Sequence, residues 1–257
     1  MLKRTAINII FLCLGISFLL GYLFGFFPFW SGIFLSLLWV MITGYGVLVM
    51  KAQYFIRSYS NNPHISNKAV ALTFDDGPNE HTVEILKILE RYHAKGTFFC
   101  IGKQIKEHPE IFKQIIEKGH LVGNHTYGHS KYIDLYGVNR FVNEIRKTDQ
   151  IIKEFSGKST LLFRPPYGIT NPTVAKALKI TKHKVIGWNR RSFDTTIPSE
   201  SVIFKKITSN LKNGDVILLH DTKKITAAVL EQLLLFLQQN NVTTVMIDEL
   251  FSIQAYE

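Results

Sequence analysis

Apolar residues follow two different patterns along the 257-residue chain. From Thr5 to Met50 there is no charged residue, and residues 5–28 and 31–50 are each about the 20 residues that cross a bilayer core. Phe27-Pro28-Phe29-Trp30-Ser31-Gly32 separates the two stretches with the aromatic and turn-forming residues that collect at membrane interfaces. Beyond residue 67 short apolar runs alternate with amphipathic segments instead. The runs predict strands at 68–72, 96–101, 120–124, 161–163, 184–188, 216–219 and 242–247. Helical spacing predicts helices at 83–92, 103–118, 135–155, 172–179, 199–211 and 226–239, with Pro109 starting a new helix inside the second. Seven strands alternating with helices require a mainly parallel α/β sheet, either open or closed into a barrel.

The organisation that follows is an apolar anchor at 1–50, a polar linker at 51–67 around Asn61-Asn62-Pro63, and one domain at 68–257. Two membrane spans are preferred to one long span. A secretory signal peptide also begins with a Lys3-Arg4 type of start, but the apolar run here is too long and no clear small-residue cleavage site follows it. The chain is therefore expected in the cytoplasmic membrane. The sequence leaves sidedness open: a hairpin would hold both Lys3-Arg4 and Lys51 in the cytoplasm, whereas a single span would put the domain outside.

Charge and cysteine narrow the classes. The net charge is +10, of which Lys3 and Arg4 supply two, leaving +8 on residues 51–257. Such an excess suits a solvated surface, anionic lipid or an anionic envelope polymer. No basic repeat interleaved with aromatics occurs, so nucleic acid is not an expected partner, and no protein partner is indicated. Cys13 lies in the first apolar stretch and Cys100 in a predicted strand, which argues against a bridge between them.

Polar residues of the same few types recur at the ends of predicted strands. Asp75 and Asp76 end the first, and Gly77-Pro78 then turns the chain away. Adjacent residues leaving a strand point in different directions, so the two carboxylates can serve different purposes. His125-Thr126-Tyr127-Gly128-His129 places two imidazoles four residues apart, a spacing that suits a shared metal ion in a helix or tight turn. One carboxylate added to them makes an open site of two histidines and one acid. Arg164-Pro165-Pro166-Tyr167-Gly168 offers a guanidinium fork beside a proline-stiffened loop, and Leu218-Leu219-His220-Asp221 ends an apolar strand on an imidazole. Strand C-termini are where α/β sheets and barrels gather their functional groups.

Taken in order, Thr73-Phe74-Asp75-Asp76-Gly77-Pro78, the His125–His129 segment, Arg164-Pro165-Pro166-Tyr167-Gly168 and Leu218-Leu219-His220-Asp221 resemble four motifs of the polysaccharide deacetylase family, the NodB homology domain or carbohydrate esterase family 4. The resemblance implies a distorted, partly open (β/α)7 barrel behind the transmembrane segment, and a divalent metal. Zn2+ is the expected ion, and Co2+, Ni2+ or Fe2+ also suit two histidines and a carboxylate. It further implies that Asp76, His125 and His129 hold the metal, that Asp75 is the general base, and that Arg164 orients Asp75 through a bidentate pair. His220 becomes the general acid, the Tyr167 N–H an oxyanion donor, and Leu218 a wall for the acyl methyl. The family's Asp-Trp pair has no direct counterpart in Trp188-Asn189-Arg190-Arg191-Ser192-Phe193-Asp194-Thr195. Asp194 is the candidate to orient His220, and Trp188 or Phe193 to line the groove.

The implied function is removal of an N-acetyl group from amino sugars of an envelope polysaccharide such as peptidoglycan. The alternative is a deacetylase or deformylase of a lipid-linked amino sugar at the cytoplasmic membrane face. A carbohydrate-binding protein that had lost catalysis would be expected to lack Asp75 or His220, and both are present.

Overall fold

The computed structural model describes residues 4–257, so Lys3 lies outside the described residues. The chain opens with two antiparallel apolar helices, α1 (Arg4–Leu23) and α2 (Phe29–Leu48), each long and apolar enough to cross a membrane by length and composition. Their side chains are largely exposed, for example Leu12, Phe34 and Leu37. The hairpin nonetheless meets the rest of the chain at its open end. The Arg4 amide donates to the Tyr54 carbonyl at 3.4 Å, and the Tyr54 ring packs against Gly46, where any side chain would collide with it.

Residues 69–257 build the sheet expected from the alternating pattern. The strands β2 (Ala69–Asp75), β3 (Thr97–Cys100), β4 (Leu121–Asn124), β5 (Leu162–Phe163), β6 (Lys184–Ile186), β8 (Val216–His220) and β9 (Thr243–Val245) occupy the seven predicted places. Two short strands add to them. β1 (Ser58–Tyr59) forms within the segment expected as a linker, and β7 (Arg190–Arg191) follows β6 after three residues. The order is β1-β6-β5-β4-β3-β2-β8-β7, β9 also pairs with β2, and every strand pair is parallel. Because β6 and β7 are nearly continuous yet sit toward opposite ends of that order, the sheet must curl into a partly closed barrel.

The helices are α3 (Glu80–Arg91), α4 (Gly102–Glu107), α5 (Pro109–Glu117), α6 (Val138–Ser156), α7 (Pro172–Thr181), α8 (Glu200–Thr208), α9 (Lys224–Gln239) and α10 (Ile247–Phe251). Pro109 does begin α5, since its missing N–H costs nothing in a first turn. Residues 133–135, whose last residue was expected to begin α6, form a separate 3-10 turn, and residue 247 begins α10 rather than ending a strand.

Strand alternation decides what faces the barrel interior. On β2, Val70, Leu72 and Phe74 face outward into a core shared with α3 and α9, where Phe74 stacks on Phe98 at 4.7 Å. Ala69 and Ala71 face inward, and with a period of two Thr73 and Asp75 follow them. On β8, Val216 is inward while Ile217 and Leu219 are outward, which puts Leu218 and His220 inside. The two strands register Thr73 with Leu218 and Asp75 with His220.

Candidate active site

Asp75 is the last residue of β2 and is buried, with His220 beside it on β8. Below it the Arg164 side chain fills the barrel interior and is fully buried. Arg164 Nη1 donates to Asp75 Oδ1 at 2.7 Å and to Thr73 Oγ1 at 2.9 Å. Its Nε donates to the Ile186 carbonyl at 3.1 Å and its Nη2 to the Gly187 carbonyl at 3.0 Å. The expected bidentate pair is therefore corrected to a single-nitrogen contact, because two barrel carbonyls take the other donors. The guanidinium also lies 4.1 Å from the Phe99 ring centre. A buried cation held at this many points fixes Asp75 and supplies its counter-charge.

Asp76 leaves the strand with φ of 77°, which turns its carboxylate away from Asp75. The Gly77–Pro78 peptide is cis, and α3 starts immediately afterwards. Asn79 caps that helix: its Oδ1 accepts the His81 N–H at 2.8 Å while Thr82 Oγ1 accepts the Asn79 N–H at 2.9 Å. The turn carrying both carboxylates is thus clamped between a strand end and a capped helix.

Asp76 meets His125 and His129. One ligand atom from each of the three lies within 4.8 Å of the others. Asp76 Oδ1 is 3.4 Å from both Nε2 atoms, buried, and without a hydrogen-bond partner. The His125 Nδ1 lies 2.7 Å from the Arg164 carbonyl and must donate to it, so in the neutral ring the Nε2 lone pair faces Asp76. Burial first, and then the positive His125, lowers the His129 pKa to about 4, leaving a neutral ring at pH 7. Burial opposes charge on Asp76, but the two histidines outweigh it and hold the carboxyl well below its usual range. For His125 burial acts downward, yet Asp75 and Asp76 push its pKa up. The same negative field favours a divalent cation at this point. An orphaned carboxylate oxygen and two imidazole nitrogens converging on one place are the donor set of an open metal site.

The loop bearing the histidines is fixed by residues that no motif marked. Asn124 Oδ1 accepts the Thr126 N–H at 2.8 Å, and Glu144 Oε2 on α6 accepts the Tyr127 and Gly128 amides at 3.1 and 2.8 Å. Thr126 and His129 both have positive φ, as do Tyr167 and Phe193 on neighbouring loops. Left-handed non-glycine residues cost free energy and gather where the surrounding structure enforces them, here around the candidate metal ligands.

The remaining candidates take distinct places. His220 Nδ1 and Asp194 Oδ1 are 2.7 Å apart, and Asp194 Oδ2 accepts the His220 amide and the Thr226 hydroxyl, each at 2.8 Å. Ser192 Oγ donates to Asp194 Oδ1 at 2.7 Å. Burial lowers the His220 pKa, but Asp194, Asp75 and Asp76 together raise it above its ordinary value. Tyr167 is 47 % exposed and its ring lies 4.8 Å from that of His129. Leu218 is buried one pleat below His220. Trp188 is half-buried directly beneath Gly168 and 5.5 Å from the Arg164 guanidinium, so it backs the Tyr167 loop. Asp221, present in the sequence motif without a role, is buried behind Gly77, accepts from Thr82 Oγ1 at 2.7 Å and is pushed up to about 7 by burial.

The arrangement therefore combines a candidate three-residue metal site, a buried carboxylate and an imidazole–carboxylate pair in one barrel mouth. Known proteins resemble this chain in sequence and fold. A profile described as polysaccharide deacetylase matches residues 63–186. A peptidoglycan-N-acetylglucosamine deacetylase of Bacillus cereus is 33 % identical over 195 residues, which cover 72 % of this chain and 89 % of that protein. The Listeria monocytogenes peptidoglycan-N-acetylglucosamine deacetylase PgdA is also 33 % identical, over 187 residues that make up 72 % of this chain but only 39 % of the relative. Among solved structures, a peptidoglycan N-acetylglucosamine deacetylase in complex with a substituted benzamide superposes with a TM-score of 0.72 at 28 % identity, covering 78 % of this chain and 94 % of the other. A shared profile, a third of the residues in common across most of a whole relative, and the same curled parallel barrel leave one assignment: this chain belongs to the polysaccharide deacetylase family.

Proposed function

We propose that the chain is a metal-dependent hydrolase that removes the N-acetyl group from an amino sugar that enters the cell-envelope glycan. One observation carries the reading: Asp75 and His220, neighbours in strand register, flank the cluster of Asp76, His125 and His129. Both named relatives act, by their names, on the N-acetylglucosamine of peptidoglycan. Asp76, His125 and His129 would hold the ion, which when bound makes water more acidic and polarises the acyl carbonyl. Asp75, kept in place by Arg164, accepts a proton from the attacking water. The Tyr167 N–H donates to the oxygen that gains negative charge as the carbonyl becomes tetrahedral. His220, supported as an imidazolium by Asp194, donates a proton to the departing nitrogen, so acetate and a free amine leave together. Leu218 supplies an apolar surface suited to the acyl methyl.

Purified full-length protein, incubated with a soluble oligomer of N-acetylglucosamine, is expected to release acetate and free amine in equal amounts. Addition of a chelator is expected to stop both. Cleavage of the oligomer into shorter sugars with no acetate would refute the assignment.

The two apolar helices are read as a hairpin spanning the cytoplasmic membrane. Arg4 and Lys51 lie at its open end beside the catalytic domain, while the turn at residues 24–28 carries no charge. Basic residues stay on the cytoplasmic side, so in this reading the domain is cytoplasmic. A reporter fused after Glu257 is expected to read as cytoplasmic, and an extracytoplasmic signal would reverse the orientation.

A further inference from the structure

The end of α2 touches the loop that carries Tyr167. The Thr170 amide donates to the Val47 carbonyl at 3.0 Å and the Thr170 hydroxyl to the Gly46 carbonyl at 3.3 Å. Three residues of fully extended chain span at most about 11 Å, so Tyr167 sits within that reach of a residue bonded to the last turn of α2. The very next residue, Asn171, ties the loop to a second one: its Nδ2 donates to the Asp134 carbonyl at 3.1 Å. That neighbouring 3-10 turn ends on Leu135, which is 82 % exposed, and is preceded by Tyr132 at 58 %. Outside the hairpin, few large apolar side chains among the described residues are exposed to this degree, and Tyr132, Leu135 and Tyr167 fall together on the two loops beside the metal ligands.

An exposed leucine flanked by two tyrosines matches a surface that sits at a bilayer interface. They are also continuous with the hairpin. A helix of 20 residues is about 30 Å long and fills the hydrocarbon core, which sets the end of α2 at the boundary with the head groups. Consecutive residues Thr170 and Asn171 then hold both the Tyr167 loop and the Leu135 turn against that boundary. Basic side chains ring the same junction: Arg4 opens α1, Lys51 follows α2, and Arg57 precedes β1. Cations at that level suit a phosphate-bearing lipid.

We infer that the substrate is an N-acetylated amino sugar joined through phosphate to a membrane lipid, taken by the site while the lipid chain remains in the bilayer. This deepens the deacetylase reading above and rests on it. The Tyr132–Leu135 turn enters the interface beside the substrate's lipid anchor and positions the barrel mouth over the first sugar. A glycan strand free of lipid gains nothing from that contact.

The test uses full-length protein in vesicles of phosphatidylethanolamine and phosphatidylglycerol. Two probes are compared: N-acetylglucosamine linked by pyrophosphate to a long isoprenoid alcohol, and a water-soluble N-acetylglucosamine pentamer. The wild type is expected to favour the lipid-linked probe by about tenfold or more in kcat/KM, the gain that a modest interfacial contribution supplies. Leu135→Glu is expected to remove most of that preference while leaving turnover of the pentamer within about twofold, because a solvated leucine has little part in folding. Leu135→Phe should keep both activities. Equal use of the two probes, faster turnover of purified lipid-free peptidoglycan, or a Leu135→Glu variant that loses both activities alike would overturn the inference and leave the deacetylase reading standing. Failure of the wild type on every probe would remove that reading, and this inference with it.

Discussion

Asp75→Asn is expected to lower kcat by about three powers of ten, within the range that a positioned proton acceptor contributes. Asparagine keeps the shape of the side chain and can still accept from Arg164 Nη1, so the barrel interior need not rearrange. What it cannot do is take a proton from water. The substitution also leaves the Arg164 guanidinium, fully buried, without a counter-ion. Losing one partner of a buried pair costs about 3–5 kcal/mol, so the midpoint of thermal unfolding should fall as well. Metal content separates the two effects. Asp76, His125 and His129 are untouched, and a folded variant should bind as much metal as the wild type while turning over almost no substrate. Turnover near wild-type levels in a metal-loaded variant would remove Asp75 from the chemistry.

The second large effect is expected at Asp194. Its four accepted hydrogen bonds come from Ser192, Thr226, and both the amide and Nδ1 of His220. An asparagine there has one oxygen for four donors and turns an NH2 toward at least one of them. His220 then loses both its orientation and the charge that stabilises its protonated form. Asp194→Asn should lower kcat by about two to three powers of ten. The pH profile should move as well, and its direction follows from the causes of the pKa. Burial lowers the His220 pKa, while the Asp194 contact is the leading influence that raises it. An acid works while it holds its proton, so activity falls as pH rises through this pKa. Removing the raising influence must shift the alkaline limb to lower pH. An unchanged limb in Asp194→Asn would mean that another group donates the proton.

Much of this site is legible in the sequence, for a physical reason. Strand alternation and the habit of α/β folds of placing functional groups at strand ends bring Asp75, Asp76, His125, Arg164 and His220 to one address. The split between Asp75 and Asp76 follows from the same rule, sharpened by the left-handed turn at Asp76. What is not legible is whatever depends on contacts between distant segments. Glu144 holds the histidine loop from a different helix, and Arg164 spends two donors on Ile186 and Gly187 carbonyls instead of a second carboxylate oxygen. Neither leaves a periodic trace. Strands of two residues, as at Ser58–Tyr59 and Arg190–Arg191, are too short to show an alternation at all. The bond from Thr170 to the end of α2, on which the position of the site relative to the membrane depends, joins residues more than a hundred positions apart. Asp194 is visible in the sequence but lacks the aromatic neighbour expected of it, and only its distance to His220 gives it a place.

Metal reconstitution tests the central claim most directly. Protein stripped with a chelator is titrated with Zn2+, and on each sample bound metal per chain and acetate released from an N-acetylglucosamine oligomer are measured together. Activity is expected to rise in proportion to occupancy and to level off at about one tightly bound ion per chain, the capacity of a single three-ligand site. In His125→Ala the same titration should show neither tight binding nor acetate release. Full acetate release from metal-free protein, or a His125→Ala variant that binds and reacts like the wild type, would contradict it.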